Sequence, residues 1–327
     1  MNAIMSTRMD MGTGTSTDTS AGTRSGSIGA PAAGRRGGFE PERTLAPRIA
    51  RLALRSLHAE LALYPKPGLV SMVDNGSHAD MSAETFLRSM FALRRYFLEV
   101  ARAGMGDAPF YVLKRLGITA EARMLRATGG INTHRGAIFC LGMLCAAIGR
   151  CHAHAMRDAA PTAADVRAML LACWGTALAA HSLDVGAGAG AGADVVSHGA
   201  RVRQAYVVSG AREEGACGFG SVFEVGLPAL RRTLAAGRGM RAARIDALFA
   251  LMAHISDTNV YHRGGLEGAQ AVRRQARAFV ARGGTAAPDW EARALACHRA
   301  FVAARLSPGG AADLLGAACL LQAATRG

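Results

Sequence analysis

Apolar residues recur along most of this 327-residue chain at the three- and four-residue spacing of one face of an α-helix. One such stripe consists of Phe86, Met90, Leu93 and Phe97. Residues 245–255 carry another, and residues 137–149 are apolar along nearly their whole length. This last run predicts a buried core helix, because a membrane-spanning helix needs about 20 apolar residues.

The periodicity predicts helices at residues 46–63, from 80 or 82 onward, and at 119–127, 136–149, 163–183, 242–256, 266–282, 289–305 and 310–324. Only residues 205–208 have strand character, and the Gly–Ala alternation at 186–193 predicts a flexible surface loop. We therefore expect an all-α fold, a multi-helix globular bundle with polar active-site loops at the helix ends. Residues 44–327 are expected to form a single all-helical catalytic domain, preceded by a disordered tail at residues 1–43.

Composition and charge narrow the possible functions. The formal net charge of +14 suits a polyanionic ligand. No Lys/Arg-rich block is present, and we expect neither nucleic acid nor a membrane as a partner. The seven cysteines include no C-x-x-C pair, which indicates reduced core thiols in a cytoplasmic protein. The absence of H-E-x-x-H and G-x-S-x-G disfavours a zinc enzyme and a serine nucleophile.

Polar, glycine-rich segments interrupt the helical pattern at four places. In the first, residues 60–80, Pro65 and Pro67 stiffen the chain around Lys66, whose ammonium could bind a phosphate. The same segment gathers oxygen and imidazole ligands at Asp74, Asn75, His78 and Asp80. One or two carboxylates typically hold the Mg²⁺ that accompanies a polyphosphate. The alternative is a plain turn with a helix cap.

The second polar segment, residues 128–136, places glycines directly before an apolar helix. Backbone N–H groups at such a helix start can bind an anion. His134 and Arg135 could there contact phosphate, and His134 could also transfer a proton. The alternative is a tight turn capped by Asn132 or Thr133.

The third polar segment, residues 198–219, offers Arg212 as a phosphate ligand and Glu214 as a base or metal ligand, unless it is only a solvated charged loop. The fourth, residues 257–265, follows an amphipathic helix. Asp257 and Asn259 there are candidate metal or ribose contacts, and Arg263 precedes two glycines that suit an anion. A helix C-cap would explain the glycines alone. Near the C-terminus, Ser307 to Asp313 form a further loop into a helix, in which Asp313 is interpreted as a first-turn carboxylate.

The chain carries, in order, P-K-P-G-L-V (65–70), D-N-G-S-H-A-D-M (74–81), T-G-G-I-N-T-H-R-G-A-I-F (128–139), G-A-R-x-E (210–214), D-T-N (257–259) with H-R-G-G (262–265), and S-P-G-G-A-A-D-L-L (307–315). Together these resemble the triphosphoribosyl-dephospho-CoA synthase family, whose members serve citrate lyase or malonate decarboxylase. In that family the G-A-R-x-E motif usually reads more like G-A-R-G-E-A. Glu213 and Gly215 are the departures here.

The resemblance implies a reaction between ATP and 3′-dephospho-CoA in which the dephospho-CoA ribose 2′-hydroxyl attacks C1 of the ATP ribose and adenine leaves. The product would pass to a transferase acting on an acyl-carrier subunit, here of malonate decarboxylase in preference to citrate lyase. Mg²⁺ is the implied cofactor. The oligomeric state is left open.

On this basis we assign hypothetical roles to the polar residues. The substrate-binding residues are Lys66, Asn132, Arg135, Arg212, Asn259 and Arg263. The metal ligands are Asp74, Asp80 and Asp257. The catalytic candidates are Asp80, His134, Glu214 and Asp257, with Glu214 or His134 transferring the proton and a carboxylate stabilising the developing positive charge at C1.

Two alternatives remain from the residues alone. One is a Mg²⁺-dependent nucleotide hydrolase on a helical fold, which would use the same carboxylates with water as the acceptor. The other is a basic, non-enzymatic module that binds a carrier protein or RNA. The clustering of acidic and His residues in Gly-rich segments disfavours this module, since electrostatic binding alone does not need them.

Overall fold

The computed structural model describes residues 39–154, 160–183 and 210–326. Within these ranges no β-strand is present, and a single isolated bridge joins Thr162 to Arg326. The all-α prediction is therefore confirmed. Most of the expected N-terminal tail, the Gly–Ala run and residues 205–208 lie outside the described residues, so those expectations stay predictions.

In the described ranges the chain forms eleven α-helices. Their bounds are α1 Phe39–Leu61, α2 Ala83–Met105, α3 Phe110–Ala127, α4 Arg135–His154, α5 Ala163–Leu183, α6 Ala211–Ala216, α7 Leu227–Ala235, α8 Gly239–His254, α9 Thr258–Ala281, α10 Trp290–Ala303 and α11 Gly309–Ala324. A π-helical turn, Val222–Gly226, leads directly into α7, and a 3₁₀ turn, Gly284–Ala286, follows α9.

The predicted helix bounds agree best where a turn residue marks the end. Helix α5 has the predicted bounds, and Ser82 is the N-cap of α2. Helix α3 begins nine residues earlier than predicted, directly after Pro109. Its internal Gly117 weakens a helix by about 1 kcal/mol relative to Ala but does not end it.

Two of the polar segments are not the loops that the sequence suggested. Residues 211–216 form the short helix α6, and residues 258–264 are the first turns of α9, before a kink at Gly265 with φ 56° and ψ −155°. The prediction was wrong here because polar and glycine residues can also occupy a helix start that a neighbouring side chain caps.

Helix α4 lies at the centre of the core and packs against α2, α3, α5 and α11. Gly142 allows this close packing, because a methyl group there would overlap the hydroxyl of Tyr96. That hydroxyl in turn donates a 2.8 Å hydrogen bond to the carbonyl of Ile138. The expected buried core helix at residues 137–149 is confirmed.

Both α4 and α5 are long and apolar enough to cross a membrane by length and composition, whereas the sequence analysis considered only residues 137–149 and predicted a buried core helix there. The apolar window of α4 is 72% buried inside the protein, as expected of a core helix, whereas that of α5 is 22% buried. The cytoplasmic location stays a prediction.

Candidate active site

A single carboxylate joins the starts of two helices. Asp257 is buried, and its Oδ1 accepts the backbone N–H of Asn259 at 2.9 Å. Its Oδ2 accepts the backbone N–H of Ala311 at 3.1 Å. Because α9 begins at Thr258 and α11 at Gly309, Asp257 caps both helices. Burial raises the pKa of Asp257, and the hydrogen bonds from backbone N–H groups oppose that shift.

A second carboxylate connects α11 to α4. The side chain of Asp313 accepts a hydrogen bond from the backbone of Ala137, and a methyl group on Gly136 would overlap its Oδ2. The carboxyl keeps some solvent exposure. Burial of the carboxyl group raises the pKa of Asp313 well above the usual range, and the negative charges of Glu60 and Asp257 raise it further. The amino termini of α4, α9 and α11 therefore lie together.

The Pro65–Pro67 loop is anchored inward. Lys66 is 1% exposed, and its Nζ lies 2.5 Å from Glu60 Oε1. Burial lowers the pKa of Lys66, although the charge of Glu60 opposes that shift. The sequence had suggested that this ammonium is available to bind a phosphate. Instead it points inward, because Glu60 of α1 is its buried partner.

Asp74 also fixes the first segment. Its Oδ1 accepts the backbone N–H of Gly76 at 2.8 Å, and its Oδ2 lies 3.2 Å from His298 Nε2. The other ring nitrogen of His298 lies 2.8 Å from the carbonyl oxygen of Lys66. These contacts are internal to the fold, so the carboxylate of Asp74 stabilises the loop.

Three polar side chains bring the first and fourth segments together. His78 Nε2 lies 2.8 Å from Ser307 Oγ, and its Nδ1 lies 2.9 Å from a terminal guanidinium nitrogen of Arg263. Burial lowers the pKa of His78, and the charge of Arg263 lowers it further. Asp80 Oδ1 lies 3.5 Å from His78 Nδ1, but the Asp80 side chain is 60% exposed, at the edge of this cluster.

His134 lies directly before α4 and is buried. Its Nδ1 is 2.7 Å from Ser89 Oγ, and its backbone N–H donates to Met124 Sδ at 3.3 Å. Burial lowers the pKa of His134 to about 3, with a smaller contribution from the charge of Lys66. The imidazole is therefore neutral at physiological pH and is a weak base, which accepts a hydrogen bond but takes a proton only from a strongly acidic group.

The remaining predicted residues have local partners of their own. Asn132 Oδ1 accepts the backbone N–H of Arg135, so the capped turn is present. The Arg135 side chain forms an ion pair with Glu121. Glu214 Oε1 accepts the hydroxyl of Ser221 at 2.5 Å.

Further packing contacts connect the third, fourth and C-terminal segments. A methyl group on Gly210, directly before the helix that carries Arg212, would lie 3.3 Å from Thr258 Cγ2. Asn259 is exposed, and a methyl group on Gly309 would lie 2.9 Å from its Nδ2. These contacts place Gly210, the residue before α6, and Asn259 beside the gathered polar segments.

The proposed metal ligands are not brought together. Asp74 and Asp257 use their oxygens for hydrogen bonds within the fold, and Asp80 lies at the exposed edge. Across residues 39–154, 160–183 and 210–326, no group of three or more His, Cys, Asp or Glu side chains is arranged to hold a metal ion. Asp74, Asp80 and Asp257 therefore do not form one joint metal site.

Sequence reasoning missed several residues that position the site. Glu60 pairs with Lys66, Ser89 contacts His134, and Ser307 contacts His78. Asp313 was treated as a first-turn carboxylate only. Glu60 and Ser89 belong to amphipathic helices, and only the fold shows that they face polar partners. For Asp313 and Ser307, the S-P-G-G-A-A-D-L-L motif was the available signal.

The fold and the gathered polar segments define an all-helical protein with a candidate catalytic site at its helix starts. Residues 46–327 match the model of a transferase family described as ATP:dephospho-CoA triphosphoribosyl transferase. The chain belongs to this family and is an enzyme. No solved structure matches it.

Curated relatives agree with this assignment. The chain is 39% identical over 269 residues to a probable 2-(5′′-triphosphoribosyl)-3′-dephosphocoenzyme-A synthase of Acinetobacter calcoaceticus, covering 82% of this chain and 88% of the relative. It is 42% identical over 277 residues to a protein of the same name from Pseudomonas aeruginosa (strain UCBPP-PA14), with 83% and 88% covered. These similarities favour the transferase over the hydrolase and the binding module.

Proposed function

We propose that this enzyme makes 2′-(5″-triphosphoribosyl)-3′-dephospho-CoA from ATP and 3′-dephospho-CoA, with release of adenine. The observation that carries the proposal is the meeting of the α4, α9 and α11 amino termini around Asp257 and Asp313. Because the chain belongs to the triphosphoribosyl transferase family, we interpret this arrangement as the place where ATP and dephospho-CoA react. The product then serves as the prosthetic-group precursor of malonate decarboxylase, through a transferase that acts on its acyl-carrier subunit.

Helix starts and arginines support binding of the triphosphate. Backbone N–H groups and the positive end of the helix dipole favour phosphate at a helix amino terminus. Arg135 lies in the first turn of α4 and Arg263 in the first turns of α9, so both belong to the gathered helix starts, although Glu121 offsets part of the charge of Arg135. Arg212 of α6 is assigned to the same role. Mg²⁺ enters with ATP as part of the substrate, because the protein carboxylates do not form a set for it.

The carboxylates and the imidazole supply what ribosyl transfer requires. The bond between C1 of the ATP ribose and adenine breaks as the 2′-hydroxyl of dephospho-CoA attacks C1, and positive charge develops on the ribose. Asp257 stabilises that charge in its ionised form. Asp313, whose surroundings favour its protonated form, donates to the leaving adenine. Neutral His134, a weak base, accepts the proton of the 2′-hydroxyl as that oxygen bonds to C1 and the proton becomes strongly acidic, and Glu214 is the second candidate for that role.

Mass spectrometry tests the reaction directly. Dephospho-CoA incubated with ATP, Mg²⁺ and the enzyme is expected to gain one triphosphoribosyl unit, while chromatography detects an equal amount of adenine. ATP without dephospho-CoA is expected to stay intact. Adenine or phosphate released in that control would favour the hydrolase, and unchanged dephospho-CoA in the full reaction would reject the proposal.

Growth of the source organism tests the destination of the product. Deletion of the gene is expected to abolish growth on malonate and to leave growth on citrate unchanged. Loss of growth on citrate alone would assign the enzyme to citrate lyase.

A further inference from the structure

The imidazole of His134 is positioned by a residue from another helix. Ser89 lies inside α2, is completely buried, and places its Oγ 2.7 Å from His134 Nδ1. The edge of the imidazole packs against Phe86 with 4.9 Å between ring centroids. The backbone amide of His134 is held by Met124 on α3. The ring is therefore held on several sides.

The other ring nitrogen is unused. His134 Nε2 is buried and has no hydrogen-bond partner within the described part of the chain, and the same is true of the neighbouring Thr133 Oγ1. A buried polar atom without a partner costs about 1–3 kcal/mol. Such atoms call for a physical reason, and a hydroxyl-bearing ligand that enters at the start of α4 would supply it.

We propose that Ser89 is a positioning residue for the transfer reaction. Its hydroxyl oxygen accepts the Nδ1–H of His134 and thereby keeps the Nε2 lone pair available for the acceptor ribose hydroxyl. The inference deepens the proposed function and rests on it. It assigns the base of the reaction to one nitrogen of one imidazole.

The proton balance is simple. The bond from the 2′-oxygen to C1 forms while the bond from C1 to adenine breaks, and the electron pair of the broken bond stays on adenine. As the 2′-oxygen bonds to C1 its proton becomes strongly acidic, so His134 Nε2 takes that proton although the imidazole is a weak base. Adenine takes one proton from Asp313, and the two side chains then return to their starting states through solvent. ATP and dephospho-CoA thus give the product and neutral adenine without another reactant.

The surroundings are compatible with this tautomer. Ser89 Oγ lies within hydrogen-bond distance of Nδ1 and has two lone pairs, so it can accept Nδ1–H, which leaves the lone pair on Nε2. Lys66 is the charged group whose field acts on His134, and together with burial it keeps the imidazole neutral. Phe86, Ser89 and Met124, which contact His134 from α2 and α3, carry no charge.

Substitution of Ser89 by Ala tests the proposal. Ser89→Ala is expected to lower kcat by about 10- to 100-fold, part of the roughly 10²- to 10⁴-fold contribution of a positioned base, with KM changed less than about threefold. Ser56→Ala is the matched control. Ser56 is also buried, but its hydroxyl donates only to Leu52 within α1, so the control is expected to keep wild-type kcat.

Nitrogen-15 NMR of the imidazole supplies a readout that a purely structural role would not change. In the wild type, Nε2 of His134 is expected to be unprotonated and Nδ1 protonated, and Ser89→Ala is expected to mix the two tautomers. A protonated Nε2 in the wild type, or an unchanged kcat in Ser89→Ala, would overturn the proposal.

The two proposals fail in different ways. A wild-type enzyme that forms no triphosphoribosyl product refutes the proposed function, whatever the Ser89 contact does. A wild-type enzyme that forms the product while Ser89→Ala equals the Ser56→Ala control refutes only the role of Ser89. The NMR measurement needs neither activity nor the variant, so it decides the tautomer even if Ser89→Ala does not fold.

Discussion

Lys66 Nζ and Glu60 Oε1 lie 2.5 Å apart, and both side chains are buried. Removing one charge of a buried pair leaves the other without compensation, so Glu60→Gln is expected to destabilise the protein by about 3–5 kcal/mol. The double variant Glu60→Gln with Lys66→Met is expected to recover part of that loss. Urea unfolding measures both.

An exposed pair is the matched control for this substitution. Glu84 and Arg88 form an ion pair on the surface of α2, with side chains 71% and 60% exposed. Glu84→Gln is expected to change stability by less than about 0.5 kcal/mol. Equal losses of unfolding free energy for Glu60→Gln and Glu84→Gln would show that the buried ion pair contributes no more to stability than the exposed one.

Gly136 is the position at which a single methyl group should disturb the site most directly. The methyl group of Gly136→Ala would overlap Asp313 Oδ2, so the carboxyl must move while the α4 backbone stays helical. We expect kcat to fall at least about tenfold with a stability change below about 1 kcal/mol, because alanine favours the helix. Steady-state kinetics and urea unfolding of the same preparation check this.

Gly117→Ala is the control for the added methyl group. The nearest atoms to its new Cβ would lie 3.9 Å away, so α3 is expected to gain about 0.5–1 kcal/mol with unchanged kcat. A Gly136→Ala enzyme with wild-type kcat would show that the position of Asp313 does not matter for turnover.

The buried imidazole of His134 makes stability depend on pH. Its folded pKa is about 3, against about 6.5 in the unfolded chain, so between these values the unfolded state binds more protons. The contribution of neutral His134 to stability is therefore fully present above about pH 6.5 and is lost as the pH falls toward 3. From pH 7 to pH 5 this group alone should cost about 2 kcal/mol.

The variant His134→Gln removes that contribution. Urea unfolding at pH 7 and pH 5 is expected to show a smaller loss for His134→Gln than for the wild type, with His58→Gln, at an exposed position of α1, as the control for loss of an imidazole. Identical pH dependence in all three proteins would argue against a buried neutral His134.

Asp80 and Asp257 should respond differently to substitution. Asp80 is 60% exposed, so Asp80→Ala is expected to leave stability unchanged while lowering turnover by orders of magnitude if it acts on the substrate. Asp257 caps α9 and α11, and Asp257→Ala is expected to cost about 1 kcal/mol or more for each lost cap as well as activity. Near-normal turnover of Asp80→Ala would remove Asp80 from the site.

Helical periodicity was enough to predict the fold, because the apolar stripes of α2 and α4 follow it closely. It did not predict that residues 258–264 are helical, because these residues are polar and glycine-rich. Asp257 is a local N-cap signal, whereas its second contact, with Ala311 54 residues away, is visible only in three dimensions.

The sequence predicted which residues belong to the candidate site, but not which side chains contact them. The motifs located His134 and Lys66, yet their contacts come from Ser89 and Glu60, which lie on amphipathic helices and carry no local signal of function. The three predicted magnesium ligands are not clustered in the described structure, for a related reason. Sequence spacing shows which carboxylates are close along the chain, but not which of their oxygens the backbone already uses.

Ser307 to Asp313 contact the other polar segments through His78, Asp257 and the start of α4. During translation this stretch leaves the ribosome after all of those partners. A nascent chain that ends before residue 307 still has Asp257 to cap α9, but it lacks the segment that contacts His78, Asp257 and the start of α4 together, so the site that we propose assembles only after this segment has been made.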